Sequence, residues 1–149
     1  MIRTSSPNAW PAEVGGMLAI GDIAAPAAAA FESCERAFRA GVDAIRVGNT
    51  GADVAAALTS SFQATGNKSG IWGGHGIGLD TVEKIRLTAA DQTVIREGMA
   101  FGFHPHLIDG SGAYGAYLAD TVVATSAGPR RLGRFGDSGF IIRIDRGAH

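Results

Sequence analysis

The feature that most constrains the fold of this chain is a change of pattern near residue 70. Before that point, from Pro26 onward, apolar residues recur in steps of three and four, which is the spacing of an amphipathic helix. After it, glycines crowd around His75, and the stretches Met99 to Leu107 and Tyr114 to Thr125 are rich in β-branched and aromatic residues. The sequence therefore predicts an α+β fold in which helices cover one face of a single antiparallel sheet.

Two helices are predicted in the first half of the chain. The first runs from Pro26 to about Arg46 and continues through Gly41, because its apolar stripe continues past the glycine. The second begins at Thr50, where Asp53 stands three residues after the cap and can complete a capping box. The buried faces are predicted to contain Phe31, Cys34, Phe38, Val42 and Ile45 in the first helix and Val54, Leu58 and Phe62 in the second.

The two ends of the chain carry weaker signals. Residues 1–22 contain several serines, prolines and glycines, so we predict an irregular lead-in with one extended piece at Met17 to Ile20 and no catalytic residue. Near the other end, Ser126 to Pro129 is predicted as a turn and Phe140 to Ile144 as a last short strand.

Composition limits the class of protein and its partners. The 149 residues suit one globular domain, and 13 basic against 14 acidic side chains leave a net charge of −1. Nucleic acid is therefore not expected as a partner. A membrane is not expected either, because no apolar run approaches the roughly 20 residues that cross a bilayer. The single Cys34 is predicted to be a small core residue in a reducing compartment, which indicates a cytoplasmic protein.

Three motifs in a fixed order resemble those of a known family. The first is the run GHGIGLD at Gly74 to Asp80, a histidine flanked by glycines. The run REGMAF at Arg96 to Phe101 follows, and then DTVVAT at Asp120 to Thr125 with Gly128. In this order and at these separations, they are similar to motifs of the pita-bread hydrolases, which include methionine aminopeptidase, prolidase, aminopeptidase P and creatinase.

The resemblance implies the C-terminal part of a pita-bread domain, with a curved antiparallel sheet covered on one face by two helices. Residues 1–149 would form a single partial domain. Ile2-Arg3-Thr4 is similar to the arginine and threonine that follow the family's second metal aspartate. That aspartate would then fall just before Met1, and we expect the N-terminal half of the domain, with both metal aspartates, to be absent from this chain.

The resemblance also implies roles for two residues in and just after the first motif. His75 matches the family's metal-binding histidine, and the alternative is a structural histidine in a tight glycine loop. The His-Glu pair of the metallopeptidases corresponds here to Val82 and Glu83, so the histidine that manages protons is replaced by valine. Glu83 is a candidate substrate-binding residue, with a solvent-facing position in a strand as the alternative.

The family's Glu-Pro-Gly corresponds to His104-Pro105-His106, so an imidazole replaces a carboxylate ligand. His104 could ligate a metal or act as an acid–base group, since an imidazole titrates near neutral pH, and the alternative is a purely structural position. His106 would point to the same side of an extended chain and is a candidate for substrate binding, with a structural position as the alternative. The last family carboxylate falls on Ala119, and Tyr117 replaces the arginine that orients it.

These replacements bear on function. The resemblance implies a creatinase-like or Xaa-Pro-peptidase-like hydrolase that acts on a C–N bond of a small amide or peptide. We expect it to use no cofactor, with His75 transferring protons and His104 orienting the substrate, or to be inactive alone. A divalent ion (Mn, Co, Fe or Zn) is expected only if the missing half supplies ligands, as in a metal-dependent aminopeptidase or dipeptidase. The remaining alternative is a non-catalytic module that forms homo-oligomers or binds a complementing N-terminal half through an unfinished sheet.

Overall fold

The computed structural model describes residues 2–5, 10–70, 72–133 and 140–144. Those residues form two helices among short strands, and the α+β class is confirmed. No helix in these ranges is long and apolar enough to cross a membrane. In chain order the elements are β1 (Ile2–Ser5), β2 (Pro11–Val14), β3 (Met17–Ile20), α1 (Ala25–Ala44), α2 (Gly51–Gln63), β4 (Lys68–Ser69), β5 (Gly74–Gly76), β6 (Glu83–Arg86), β7 (Ala100–Phe103), β8 (His106–Ile108), β9 (Gly115–Tyr117), β10 (Asp120–Thr125), β11 (Gly128–Arg131) and β12 (Ile141–Ile144).

Both predicted helices are confirmed to within about two residues. Pro26 lies in the first turn of α1, where its missing N–H removes no helical hydrogen bond. The capping box of α2 is present: the N–H of Asp53 donates to the Thr50 hydroxyl at 3.2 Å, and the Thr50 N–H donates to the Asp53 carboxylate at 2.7 Å. Two N–H groups that the helix leaves without partners are thereby satisfied.

The central sheet has five antiparallel strands in the order β11-β10-β7-β5-β6. Its register aligns His75 with Gly102 and Gly102 with Thr121 across three neighbouring strands. Since directly paired residues share a face of a sheet, this row lies on one face, and the alternating Phe101 and Phe103 lie on the other. The face that carries the phenylalanines is the one covered by the helices.

The prediction of one antiparallel sheet for residues 99–107 and 114–125 is wrong. The strand ends at Phe103, and β8 and β9 belong to a separate three-stranded sheet in the order β4-β8-β9. The break falls at His104-Pro105, because proline has no N–H with which to continue the ladder. The predicted turn is confirmed at Ser126-Ala127, but strand β11 already resumes at Gly128.

The prediction of an irregular lead-in for residues 1–22 is also wrong in part. β1 and β2 pair as an antiparallel ribbon, with Ile2 opposite Val14 and Ser5 opposite Pro11. The proline and glycines that indicated a loop stand at the limits of a strand, with Pro11 first in β2 and Gly15 just after its end. β3 has the predicted bounds, and it pairs in parallel with the predicted last strand, β12.

The core lies between the helices and the sheet. The Phe38 ring of α1 is 5.2 Å from the Phe103 ring of β7 and 4.7 Å from that of Phe140. A glycine is needed at position 41 inside α1, because a Cβ there would overlap the Phe103 ring. Cys34 is fully buried in this core, as predicted, and burial raises the pKa of its thiol to about 12.

Candidate functional site

Three buried polar side chains meet on the face of the sheet opposite the helices. They are Glu13 of β2, His75 of β5 and His104, which follows β7, and each is at most 5% exposed. His75 Nε2 lies 3.8 Å from Oε1 of Glu13, and His104 Nε2 lies 3.8 Å from Oε2 of the same carboxylate. One possible ligand atom from each residue falls within 4.8 Å of the other two. We call these three residues the Glu-His-His cluster.

His75 is held by the strand rather than by a glycine loop. Its Nδ1 lies 2.9 Å from the carbonyl oxygen of Gly76, which can only accept a hydrogen bond. Nδ1 therefore carries the proton in this contact, and Nε2 presents its lone pair to the cluster. A histidine fixed in this way has one ring nitrogen committed to orientation and the other available for chemistry or for a metal ion.

His104 reaches the cluster from the point where the central sheet breaks. Its backbone N–H donates to the carbonyl oxygen of Gly73 at 2.8 Å, which fixes the residue beside the strand that carries His75. The two imidazole rings are 5.0 Å apart between centroids. The sequence prediction that His75 and His104 line one site is thus matched by their positions.

Glu13 is the site residue that the sequence analysis missed. Its backbone N–H donates to the Thr121 hydroxyl at 2.9 Å, and that hydroxyl donates to the Glu13 carbonyl oxygen at 3.1 Å, which fastens β2 across β10. Space for its carboxylate comes from Gly102, where a Cβ would lie 2.7 Å from Oε2. The sequence held one signal: Glu13 is the only charged residue between Arg3 and Asp22.

Aromatic rings border the cluster. The Trp72 ring lies 5.5 Å from that of His75 and carries the Arg86 guanidinium 4.0 Å above its centroid. Tyr117 lies 4.5 Å from His106 and stacks on His104 at 6.3 Å. These half-buried rings screen the cluster from water on that side, where an electrostatic interaction is correspondingly stronger.

His106 and Glu83 lie near the cluster without joining it. The His106 ring is 5.6 Å from that of His104, so the structure brings the two together as the sequence predicted. Burial lowers the pKa of His106 and so favours its neutral form. Glu83 is half-buried rather than solvent-facing, and its carboxylate accepts a hydrogen bond from the Asp80 N–H at 3.0 Å. Their roles in substrate binding stay predictions.

A groove of about 590 Å³ adjoins the cluster. Glu83 lines it, as do Gly76, which follows His75, and Thr121, which holds the backbone of Glu13. Much of the remaining lining is apolar, including Ile77, Met99 and Phe101. The lining among the described residues includes neighbours of the cluster but not Glu13, His75 or His104, so a small molecule in this groove would lie near the buried polar groups, against largely apolar walls.

The positions after β9 include Ala119, where the resemblance places the last family carboxylate. Ala119 is fully buried and forms a backbone bridge with Gly15, two residues after Glu13. The next residue, Asp120, faces elsewhere: its carboxylate accepts from Arg131 Nε at 2.7 Å and from the Gly133 N–H at 2.8 Å. Asp120 is thus a structural residue.

Comparison with known proteins identifies the family. The model of metallopeptidase family M24 matches residues 8–126. Probable dipeptidase PepE of Mycobacterium tuberculosis is 33% identical over 111 residues, which is 73% of this chain and 29% of that protein. The chain belongs to metallopeptidase family M24.

Solved structures of M24 proteins share the fold. Dipeptidase PepE from Mycobacterium ulcerans has a TM-score of 0.82 at 27% identity, over 96% of this chain and 39% of that one. Xaa-Pro dipeptidase from Bacillus anthracis has a TM-score of 0.81 at 24% identity, over 89% of this chain and 38% of that one. The pita-bread resemblance is confirmed, and the chain spans well under half the length of these relatives. The similarity assigned to Ile2-Arg3-Thr4 lies outside the M24 match and stays a prediction.

A carboxylate-bridged pair of divalent ions does not fit the described residues. A pair of divalent ions bridged by carboxylates needs several oxygen donors, because carboxylate oxygens both bridge and balance the charge. Among the described residues that could hold an ion together, Glu13 is the only carboxylate, and its companions are two imidazoles. This donor set does not suit a bridged pair, and Glu13 is a carboxylate that the sequence analysis did not place at the site.

Proposed function

We propose that this chain carries the histidine-bearing part of a hydrolase that cleaves a C–N bond in a small peptide or amide. The observation that supports it most is the buried convergence of one carboxylate and two imidazoles beside an open groove. Membership of the M24 family supports the reaction class. Because the chain spans only part of its relatives, the substrate and the activity of the whole protein belong to this proposal.

His75 has the arrangement of a general base. With its Nδ1 proton donated to Gly76, Nε2 can accept a proton from a water molecule. The Glu13 carboxylate, 3.8 Å away, stabilises the positive charge that the ring then gains. This charge pairing is stronger in a buried site than at the surface, because less water screens it.

The reaction balances with the groups at hand. A water oxygen forms a bond to the carbonyl carbon while the water proton passes to Nε2 of His75. The C–N bond then breaks as the departing nitrogen takes a proton from an imidazole, which gives a carboxylic acid and an amine. His104, on the other side of Glu13, is placed to hold the substrate or to donate that proton.

We propose that the substrate binds in the groove. Its apolar lining would hold the hydrocarbon part of a small substrate. Glu83 would bind a positively charged group such as a peptide amine. This contact would orient the substrate without taking part in the proton transfers.

The test is turnover of a panel of small amides and dipeptides, Xaa-Pro dipeptides included, by the chain and its variants. His75→Ala should lower kcat at least about 100-fold, since general base catalysis contributes roughly that much. Glu35→Gln, at a partly exposed position of α1 where the carboxylate pairs with Arg39, provides the control and should leave kcat unchanged. Turnover that survives His75→Ala would contradict the proposed role, and no turnover of any substrate would contradict hydrolysis by this chain alone.

A second function, association with another chain, is favoured by one exposed surface. In the β3–β12 pair, Leu18 lies opposite Ile142 and Ile20 opposite Ile144. These four side chains are 44–65% exposed and form a continuous apolar strip. An apolar strip of this kind on a short two-stranded sheet is typical of a contact surface.

We therefore propose that the chain forms homo-oligomers, or binds a complementing N-terminal half, through this strip. Light scattering should show a mass above that of the monomer, and Leu18→Lys with Ile20→Lys should return it to the monomer. A wild-type monomer at all concentrations would contradict self-association. A cytoplasmic location and the absence of nucleic-acid and membrane partners stay predictions from the sequence.

A further inference from the structure

We propose that Lys84 determines substrate specificity by binding a carboxylate of the substrate in the groove. The ligand class is then a small peptide or amide that carries a free carboxylate, with its apolar part between the walls of the groove. This inference deepens the proposed hydrolase function and rests on it, since it concerns the same groove. Its test measures binding and does not require turnover.

An irregular step in the pairing of β5 with β6 accounts for the position of Lys84. His75 of β5 lies opposite Arg86, but the next residue, Gly76, lies opposite Glu83, so Lys84 and the residue after it are inserted between the two pairs. In a regular strand, neighbouring side chains point to opposite faces, whereas a bulge changes the direction of the side chains in the strand that contains it. This explains how the consecutive Glu83 and Lys84 can both line the groove.

The bulge carries backbone strain. Ile85 has φ of 72°, and this left-handed conformation is unfavourable for a β-branched residue. Two glycines leave the space that the bulge needs: a Cβ on Gly76 would overlap the Lys84 carbonyl oxygen, and one on Gly78 would lie 2.8 Å from both carboxylate oxygens of Glu83. Strain of this kind persists only where the surrounding structure fixes it, and such positions cluster at binding and catalytic sites.

Charge supports a carboxylate as the group that Lys84 binds. Among the described residues that line the groove, Glu83 and Lys84 are the two charged ones, and their charges have opposite signs. The N–H of Asp80 donates to the Glu83 carboxylate at 3.0 Å, which orients this side chain from the groove's own backbone. A substrate with an amine for Glu83 and a carboxylate for Lys84 matches both charges, whereas a neutral amide matches neither.

The walls of the groove indicate what carries the carboxylate. Trp10 and Leu132 line the groove and are 54% and 48% exposed, so hydrocarbon of a ligand would cover apolar surface that water now contacts. Lys84 is itself exposed, and the pairing of an exposed ammonium with a carboxylate changes affinity by only a few-fold. The apolar walls therefore provide most of the affinity, and Lys84 selects between ligands that differ in one charge.

NMR titration with a matched pair of probes tests the inference. One probe is a leucyl-alanine dipeptide in which a CH₂ group replaces the scissile nitrogen, so that there is no C–N bond to cleave. The other probe has an alcohol in place of the carboxylate. The wild type should bind the acid about 3- to 5-fold more tightly than the alcohol, because an exposed ion pair contributes roughly that much. The resonances of Gly76 and Gly78 should shift on binding.

Three variants complete the test. Lys84→Met should remove the preference for the acid, and Lys84→Glu should reverse it. Lys68→Met, at the chain's other lysine, which is exposed on β4, is the matched control and should keep the preference. Circular dichroism identifies any variant that does not fold, and the other variant at position 84 then decides.

Equal affinity of the wild type for both probes, no binding of either probe, or a preference that survives in the folded variants at position 84 would overturn the role of Lys84. Failure of the proposed function looks different. Preferred binding of the acid with no turnover of any amide would remove the hydrolase and keep the carboxylate contact. Turnover of dipeptides and of their neutral analogues with equal kcat/KM would remove the contact and keep the hydrolase.

Discussion

The two faces of the four-residue strand β7 differ in how tightly they are packed. Phe101 and Phe103 point toward the helices and are fully buried in the core. Gly102, between them, faces the Glu-His-His cluster, and Ala100, which precedes Phe101, lines the groove. On the face covered by the helices, side chains fill the available volume. On the opposite face, space is left for the Glu13 carboxylate and for a ligand. A strand with a period of two can thus stabilise the fold and build the site at the same time.

Removing volume from the core face should have the largest effect on stability. Phe103→Ala deletes a ring that packs on Phe38 and against the backbone of α1 at Gly41. We expect a loss of about 3–5 kcal/mol in the free energy of unfolding, measured by chemical denaturation. Leu79→Ala, at a side chain 85% exposed, is the control and should change it by less than about 0.5 kcal/mol. Equal losses in both variants would remove the distinction between the faces.

Adding volume to the site face should affect catalysis more than folding. Gly102→Ala places a methyl group 2.7 Å from Oε2 of Glu13 and 3.1 Å from Cε1 of His75. Because these two groups must move to admit the methyl group, we expect kcat to fall by up to about 100-fold. The free energy of unfolding should change by less than about 1 kcal/mol. A large loss of stability with unchanged kcat would reverse the assignment of the faces.

At the N-terminus of α2, loss of the Thr50 cap should affect stability alone. Thr50→Ala removes the hydroxyl that accepts from the Asp53 N–H and should cost about 1 kcal/mol of stability. Thr50→Ser keeps the hydroxyl and should recover most of that loss. Thermal or chemical unfolding measures both, and kcat should be the same in all three proteins.

The smallest effect is expected at Asp91, away from both faces. Hydrogen bonds from Thr93, followed by one from the Arg86 N–H, hold the pKa of this carboxyl below its ordinary value. Its contribution to stability is therefore present above about pH 4, the unfolded value, and is lost as pH falls through the lower folded value. Asp91→Asn should make unfolding less dependent on pH below about 4. An identical acid profile in the variant would show that the carboxylate contributes nothing.

The sequence predicted the fold wherever local patterns and tertiary contacts agree. The apolar stripe of α1 and the cap at Thr50 are local signals, and both helices form where expected. The split between two sheets was missed because β-branched and aromatic residues mark strands without saying which strands pair. His104-Pro105 held the information, since proline interrupts a ladder, but only the observed register shows where the chain leaves the sheet.

The candidate site was predicted in part for a similar reason. His75 and His104 stand in motifs that resemble the family, and the structure places them in one cluster. Glu13 stands in a short segment of small residues whose pattern indicated a loop, and its partner Thr121 lies 108 positions away. No local pattern reports such a contact, although a lone charge in an uncharged stretch is a sign worth following.

The cluster draws its three members from widely separated stretches, and this has a thermodynamic consequence. In the unfolded chain nothing holds these groups near each other, so an occupant that touches all three recognises only the native state. Such an occupant stabilises the folded protein by binding to it alone. It should raise the melting temperature in proportion to the logarithm of its concentration once the site is saturated. A thermal-shift screen of ions and small amides would therefore find what the site accepts before any reaction is known.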